Sequence, residues 1–394
     1  MTATLPQAAW TKRKDLAGLV AALGEGNARY VGGAVRDTLL GLDVKDIDVA
    51  TRLVPDDVVA RLETAGIRTV PTGIAHGTVT ALLKEGTVEI TTLRHDVSTD
   101  GRRATVAFAH DWREDAARRD FTINALYADP GSGEIWDYFG GLDDLHARRV
   151  RFIGDPAARI REDHLRILRY FRFQARFGSQ PADSASEQAC ADLAATLKGL
   201  SRERIGMELL NLLALSDPAA TLARMAELGV LAVILPEARP AGLAALIAQE
   251  RRQHVAPDPI RRLAALLPAE LPVAERVAAR FRLSTAQKKR LASAAGRNPN
   301  PPRHEEDQEV HALAYRLGRE QALDRLLLTD ADIAPLNGWT IPVFPLKGGE
   351  IVARGVKAGP EVARLMREVE AQWIAEEFPD AARVSQLLDA ALTR

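Results

Sequence analysis

Two aspartates in Asp46-Ile47-Asp48-Val49-Ala50 have a spacing that could do chemistry. The two-residue side-chain period of a strand puts both carboxylates on one face, while Ile47 and Val49 point into a core. Two acids on one face repel, and a divalent cation between them removes the conflict. Oxygen ligands suit Mg²⁺, which takes one or two carboxylates and fills its shell with substrate phosphates. An ion held there would activate a hydroxyl and neutralise charge on a transferring phosphoryl group. An isolated Asp-x-Asp is more often a solvent-facing edge strand. The residues upstream reverse that balance: Gly32-Gly33-Ala34-Val35-Arg36-Asp37 reads as a glycine turn between a short strand and a helix ending near Gly41. Such a turn offers backbone N–H groups to phosphate, with Arg36 a further donor. Glu89 alternates with Val88 and Ile90, so a neighbouring strand could add a third carboxylate.

Further along, Arg118 and Arg119 are the right groups to clamp a triphosphate, because guanidinium forks bind phosphate oxygens bidentately. Asp120 and Asn124 lie four apart, a helical-face spacing from which they could hydrogen-bond a ribose or brace the arginines. Asp163 and Arg166 are three apart, and on a helix they project side by side. Cytosine and adenine each present an exocyclic amino donor beside a ring-nitrogen acceptor. Asp163 can accept from the first while Arg166 donates to the second. Guanine and uracil reverse that polarity and would leave buried groups unpaired, at about 1 to 3 kcal/mol each.

These groups need a scaffold. The chain has 394 residues, enough for two or three domains at roughly 150 residues each. Hydrophobic residues make up 46% and charged residues 27%, which excludes a disordered or collagen-like chain. Fifty-two Lys plus Arg against 53 Asp plus Glu give a formal charge of -1, so any nucleic-acid footprint must be local. One such place is Arg148 to Arg176, with nine arginines against Asp155, Glu162 and Asp163. The single cysteine, Cys190, excludes an intrachain disulfide and a cysteine-based zinc site and suits a cytoplasmic protein. Apolar stretches such as Leu228 to Leu235 are too short to span a bilayer, and the first residues carry no signal-peptide core.

The elements follow from periodicity. Arg29–Val31, Asp46–Ala50, Gly77–Leu83 and Thr87–Leu93 read as strands, the last two joined by the hairpin turn Lys84-Glu85-Gly86. Arg94 to Asp115 is polar and contains Gly101, which predicts a mobile loop. After Pro156 the pattern is helical to the end, interrupted at Pro257-Asp258-Pro259, at Gly296 to Arg303 and at Pro335 to Gly349. The expectation is an α+β protein: a small mixed-sheet head at 1–150, then all-helical segments at 151–215, 216–300 and 301–394.

Taken in order, these residues resemble the nucleotidyltransferase superfamily, and Gly-Gly-x-x-Arg-Asp followed by Asp-x-Asp is similar to its class II tRNA nucleotidyltransferase branch. Arg118 to Ala125 resembles the family's second motif, Asp137 to Gly141 with Asp144-Leu145 its third, Glu162 to Arg166 with Ile167 to Phe173 its fourth, and Ser201 to Ile205 with Glu208 its fifth. The resemblance implies head, neck, body and tail domains, and addition of C, C and A to the tRNA 3′ end from CTP and ATP with Mg²⁺. It implies Asp46 and Asp48 as metal ligands, with Glu89 supporting them. To nucleotide binding it assigns Gly32, Gly33, Arg36, Arg118, Arg119, Asp120, Asn124, Asp163, Arg166 and Arg169. The segment Arg94 to Asp115 stands where the family has a loop tied to the change from CTP to ATP. Bacterial poly(A) polymerases share the core but typically carry a Gly-Arg-Arg-Phe-Arg-like run where Pro71 to Thr78 lies here, and a basic extension that a pI of about 6.7 does not suggest. A non-catalytic RNA- or nucleotide-binding protein with a vestigial core is the other alternative. Gly359-Pro360 opens a helix whose N-terminus beside Lys357 could touch RNA phosphate, and no feature calls for an obligate protein partner or a membrane. The eight histidines form no His-Asp phosphohydrolase pattern, so no phosphatase or phosphodiesterase activity is expected.

Overall fold

The computed structural model describes residues 3–74, 77–100, 103–109, 111–298 and 307–393. Gly101 and most of the 296–303 interruption therefore lie outside the described residues. The strands, in chain order, are β1 (Ala28–Val31), β2 (Ile47–Thr51), β3 (Arg68–Gly73), β4 (Thr78–Leu83), β5 (Gly86–Thr92), β6 (Arg94–Asp100), β7 (Arg103–Phe108), β8 (Leu126–Ala128) and β9 (Ile135–Asp137). Seven form one mixed sheet in the order β3-β4-β5-β2-β1-β8-β9, with β2 and β5 parallel and the other pairs antiparallel. Leu83 pairs with Gly86 across the tight turn between β4 and β5. Edge strand β3 carries Pro71 at a register break between Val70 and Gly73, a place where a residue that cannot donate to the ladder is tolerated.

The segment expected as a loop is instead a separate antiparallel ribbon of β6 and β7, followed by a helix. Val97, Thr99, Thr105 and Val106 are β-formers, and a partner strand a few residues away outweighs the polar composition. Helices α1 (Lys14–Leu23), α2 (Gly33–Leu39), α3 (Pro55–Thr64), α4 (Trp112–Ala117) and α5 (Gly141–His146) flank the sheet connections. Leu16, Leu19 and Leu23 of α1 and Val58 and Leu62 of α3 are buried where these two helices pack.

From Pro156 onward every described element is a helix: α6 (Pro156–Glu162), α7 (Arg166–Phe177), α8 (Ser184–Asp192), α9 (Arg202–Leu213), α10 (Ala219–Glu227), α11 (Val230–Ile234), α12 (Ala241–Arg252), α13 (Pro259–Leu266), α14 (Leu271–Arg280), α15 (Thr285–Ala295), α16 (Asp307–Leu317), α17 (Arg319–Leu328), α18 (Gly348–Ala353), α19 (Pro360–Ala375) and α20 (Ala381–Leu392), apart from short 3₁₀ turns. Two compact units result, one of Met1–Leu209 with Ala220–Ile234 and one of Leu210–Ala219 with Leu235–Arg394. In the first, α7 buries Ile167, Leu168, Tyr170, Phe171 and Phe177. Its rings meet those of the head, with Phe173 4.9 Å from Phe121 and Tyr170 stacked 5.7 Å from Phe152. In the second, Trp373 of α19 packs with Leu365, Val369, Val384 and Leu388.

Candidate active site

The turn from β1 into α2 passes through Gly32 at φ 69°, a left-handed backbone that a side chain would strain. Asp48 stands on β2 opposite Val31 of β1 and opposite Glu89 of β5, while Asp46 is exposed just before β2 begins. Burial, and next the Glu89 carboxylate, push the Asp48 carboxyl above its ordinary range; Arg119 pulls the other way and Asp46 adds to the push. Excess negative charge thus gathers around Asp48, and its donors are hard oxygens, the setting a Mg²⁺ ion relieves. Among the described residues no group of three or more His, Cys, Asp or Glu side chains is arranged to hold a metal. The fit is therefore to an ion carried by Asp46 and Asp48 and completed by other oxygens, with Glu89 contributing charge from the next strand.

A cavity of about 790 Å³ opens beside these acids. It brings together Gly32, Gly33, Arg36, Asp46, Asp48, Arg118, Arg119, Asp120, Asn124, Asp163, Arg166 and Arg169; Glu89 does not line it. Arg94, Leu165, Phe173 and Arg204 complete the wall.

Hydrogen bonds set the orientation of each group. Arg36 is buried, donates to Asp37 at 2.7 Å and to Asn124 Oδ1, and lies 4.1 Å over the Phe177 ring, so it braces the turn as well as facing the cavity. Asp120 and Asn124 do bond directly, at 3.0 Å, but not along an α-helix: Phe121 is extended and Thr122–Asn124 is a 3₁₀ turn. Gly141 packs closely against this turn, where a β-carbon would collide with the Thr122 carbonyl oxygen. Asp120 accepts from Arg169 Nε at 2.9 Å, and although burial disfavours its charge, Arg169 and the Asn124 bond hold its carboxyl below the ordinary range.

Asp163 and Arg166 also do not share a helix. Asp163 ends α6 with extended backbone and Arg166 begins α7. The Arg166 N–H donates to the Asp163 carbonyl at 2.9 Å, so the break is a tight turn that keeps both side chains on the cavity. Arg166 donates to Glu162 and to the carbonyls of Arg159 and Arg118, leaving Nε and one Nη2 proton. Asp163 accepts from Arg204 at 2.9 Å and from the Leu165 N–H at 3.1 Å, with further lone pairs to offer. Arg204 lies within the fifth motif, but spacing gives no sign that it touches Asp163.

The arginine-rich stretch 148–176 is largely neutralised within the fold. Seven of its nine arginines meet a carboxylate: Asp144 takes Arg149 and Arg151, Glu162 takes Arg159 and Arg166, and Asp120, Glu208 and Asp37 take Arg169, Arg172 and Arg176. Among the described residues only Arg148 and Arg161 of this stretch have no carboxylate partner. Counting charge along the chain misses acids brought in from elsewhere.

Comparison with known proteins decides the family. The chain is 36% identical over 371 residues, 88% of its length and 83% of the relative's, to a protein of Danio rerio named CCA tRNA nucleotidyltransferase 1, mitochondrial. The chain belongs to the CCA tRNA nucleotidyltransferase family. Residues 28–151 match the family model described as Poly A polymerase head domain, and 183–241 that described as probable RNA and SrmB- binding site of polymerase A. A CCA-adding enzyme of Streptococcus gordonii is 44% identical over 188 residues, 47% of this chain and 46% of that one. Among solved structures, a Bacillus stearothermophilus CCA-adding enzyme in complex with CTP superposes with a TM-score of 0.73 at 26% identity, over 97% of this chain and 98% of that one. The mixed-sheet head followed by helices is thus the fold of the CCA tRNA nucleotidyltransferases.

Proposed function

We propose that this chain adds C, C and A in turn to the 3′ end of tRNA, taking CTP and ATP and releasing pyrophosphate without a nucleic-acid template. One observation carries the reading: a single cavity holds acids fit for a cation, a pair of arginines beside a glycine turn, and an acceptor and donor suited to a base edge. Asp46 and Asp48 would hold Mg²⁺, and Glu89 would deepen the negative charge that draws it in. When bound, the ion would favour the ionised 3′ hydroxyl and neutralise charge on the phosphoryl group. Gly32, Gly33, Arg118 and Arg119 would take the triphosphate, and Asp120 and Asn124 would hold Arg169 and Arg36 against it. Asp163 would accept from the amino group of cytosine or adenine while Arg166 donates to the ring nitrogen.

The four-part division at 150, 215 and 300 stays part of this reading, with the tail as a tRNA contact. Residence in the cytoplasm is likewise a proposal. It rests on a single, buried, free cysteine, and among the described residues no helix is long and apolar enough to cross a membrane.

The test is incubation of pure protein and Mg²⁺ with tRNA ending at the discriminator base, with CTP, ATP or both, followed by sequencing of the 3′ ends. Cytidines from CTP alone and CCA from both are expected. Long adenosine tails from ATP alone would make the protein a poly(A) polymerase, and no incorporation would favour a vestigial core. Asp48→Ala should abolish incorporation and leave tRNA binding in place; equal incorporation would sink the metal assignment.

A further inference from the structure

Arg118 and Arg119 are adjacent in sequence and both face the same cavity, so two guanidinium charges share a partly enclosed space before any nucleotide arrives. Asp115, one turn earlier on α4, makes that arrangement tolerable. We propose that Asp115 is a positioning residue for the nucleotide triphosphate: its carboxylate seats both guanidiniums with their unspent edges toward the phosphates and touches no substrate atom itself. The proposal rests on the assignment of Arg118 and Arg119 to the triphosphate.

The bonding pattern is specific. Asp115 Oδ1 accepts from Arg118 Nε at 2.8 Å and lies 2.7 Å from Arg118 Nη2. Its Oδ2 accepts from Arg119 Nη2 at 3.2 Å and from Tyr127 Oη at 2.6 Å. The Arg94 N–H, where β6 begins, donates to Oδ1 at 3.3 Å. Asp115 is 1% exposed and is not part of the cavity wall, so these donors use it up. Arg119 also donates from Nε to Tyr127 Oη at 3.1 Å, which leaves Nη1. That atom lies 3.5 Å from where a β-carbon on Gly32 would stand, so the unspent donor faces the glycine turn. A phosphate between the turn and the arginine pair would be met from both sides.

The charge on Asp115 matters as well as its shape. Burial disfavours ionisation, but Arg119 and Arg118 outweigh it and hold the carboxyl down at about 2. An asparagine of the same size would keep one acceptor and turn its amide donors toward an arginine or Tyr127, so one guanidinium would lose its seat.

Calorimetric binding of CTP, CMP and pyrophosphate to the full chain with Mg²⁺ separates this role from general destabilisation. For Asp115→Asn the affinities for CTP and pyrophosphate should fall about tenfold or more, while that for CMP stays within about twofold, because the base edge is read elsewhere. In turnover, KM for CTP should rise more than kcat falls. Tyr127→Phe removes one donor from the same seat and should give a smaller loss with the same pattern; it decides the matter if Asp115→Asn does not fold. CMP weakening in step with CTP would overturn the proposal in favour of a structural role. Arg119→Ala tells the two assignments apart. If it loses pyrophosphate and Asp115→Asn does not, only the role of Asp115 fails; if neither loses it, the triphosphate assignment fails first.

Discussion

Two arginine–carboxylate networks, one around the cavity of the first unit and one inside the second, use the same groups to opposite ends. In the helical unit, Glu250 of α12 accepts from Arg261 and Arg262 of α13 at 2.8 and 2.9 Å. Arg262 gives its remaining protons to the carbonyls of Leu213, Leu215 and Ser216. Asp324 of α17 takes Arg290 of α15, which also reaches Asp258 at 2.8 Å. The Glu250, Arg261 and Arg262 side chains are at most 2% exposed. The Glu250, Arg261 and Arg262 groups are buried and face no opening, so their pairing fastens helices together. Around the cavity the pairing is deliberately partial: Arg118 and Arg119 are 17 and 18% exposed and keep donors facing the opening. Whether an arginine cluster binds a ligand or holds a fold depends on how many of its donors the protein itself consumes.

The contrast can be broken by mutation. Glu250→Ala would leave the buried Arg262 guanidinium without a counter-charge and Arg261 with only the more distant Asp324, and should cost about 3 to 5 kcal/mol in denaturant unfolding, with CTP binding retained where the chain is folded. An unchanged midpoint would mean the closed network is not a clamp. Asp115 spans both roles, since it is buried yet serves the open network. Its folded carboxyl near 2 lies below the ordinary 3.8, so its stabilisation is complete above pH 3.8 and is lost as pH falls toward 2. Asp115→Asn should therefore cost about 2 kcal/mol at neutral pH, with the difference from the parent closing in acid unfolding between those values. A gap that persisted at low pH would assign the loss to packing. Asp163→Ala, at the open site, should lower selectivity for CTP over UTP about tenfold while pyrophosphate affinity holds, and unchanged selectivity would refute the base-edge reading. At the far end of the scale lies the exposed pair of Arg364 with Glu361, where Glu361→Ala should move neither the unfolding midpoint nor incorporation.

Much of this was legible in the sequence because it is local. Strand alternation placed Asp48 and Glu89 on the sheet, glycines marked the turn at Gly32, Pro360 opened α19, and the helical period after Pro156 persists through the described residues. The spacing rules failed where a turn replaced an assumed helix. Asp163 and Arg166 meet the cavity from the end of one helix and the start of the next, and Asp120 reaches Asn124 across a 3₁₀ turn against which Gly141 packs. Both pairs still converge, since a tight turn and a helix bring residues three or four apart to similar distances. The ribbon at 94–108 is not legible in composition, because it is made by backbone pairing between β6 and β7.

The sequence by itself determined which chemical groups the protein carries, their order, and the periodicities that make a mixed-sheet head and a helical remainder, because period and turn chemistry act between near neighbours. Only the tertiary structure decided which of those groups are spent. Arg176 meets Asp37 across 139 residues, Arg169 meets Asp120 across 49, and Arg204 meets Asp163 across 41. Such ion pairs follow from packing, which no local pattern encodes, and they decide which arginine donors are consumed within the fold and which still face the cavity.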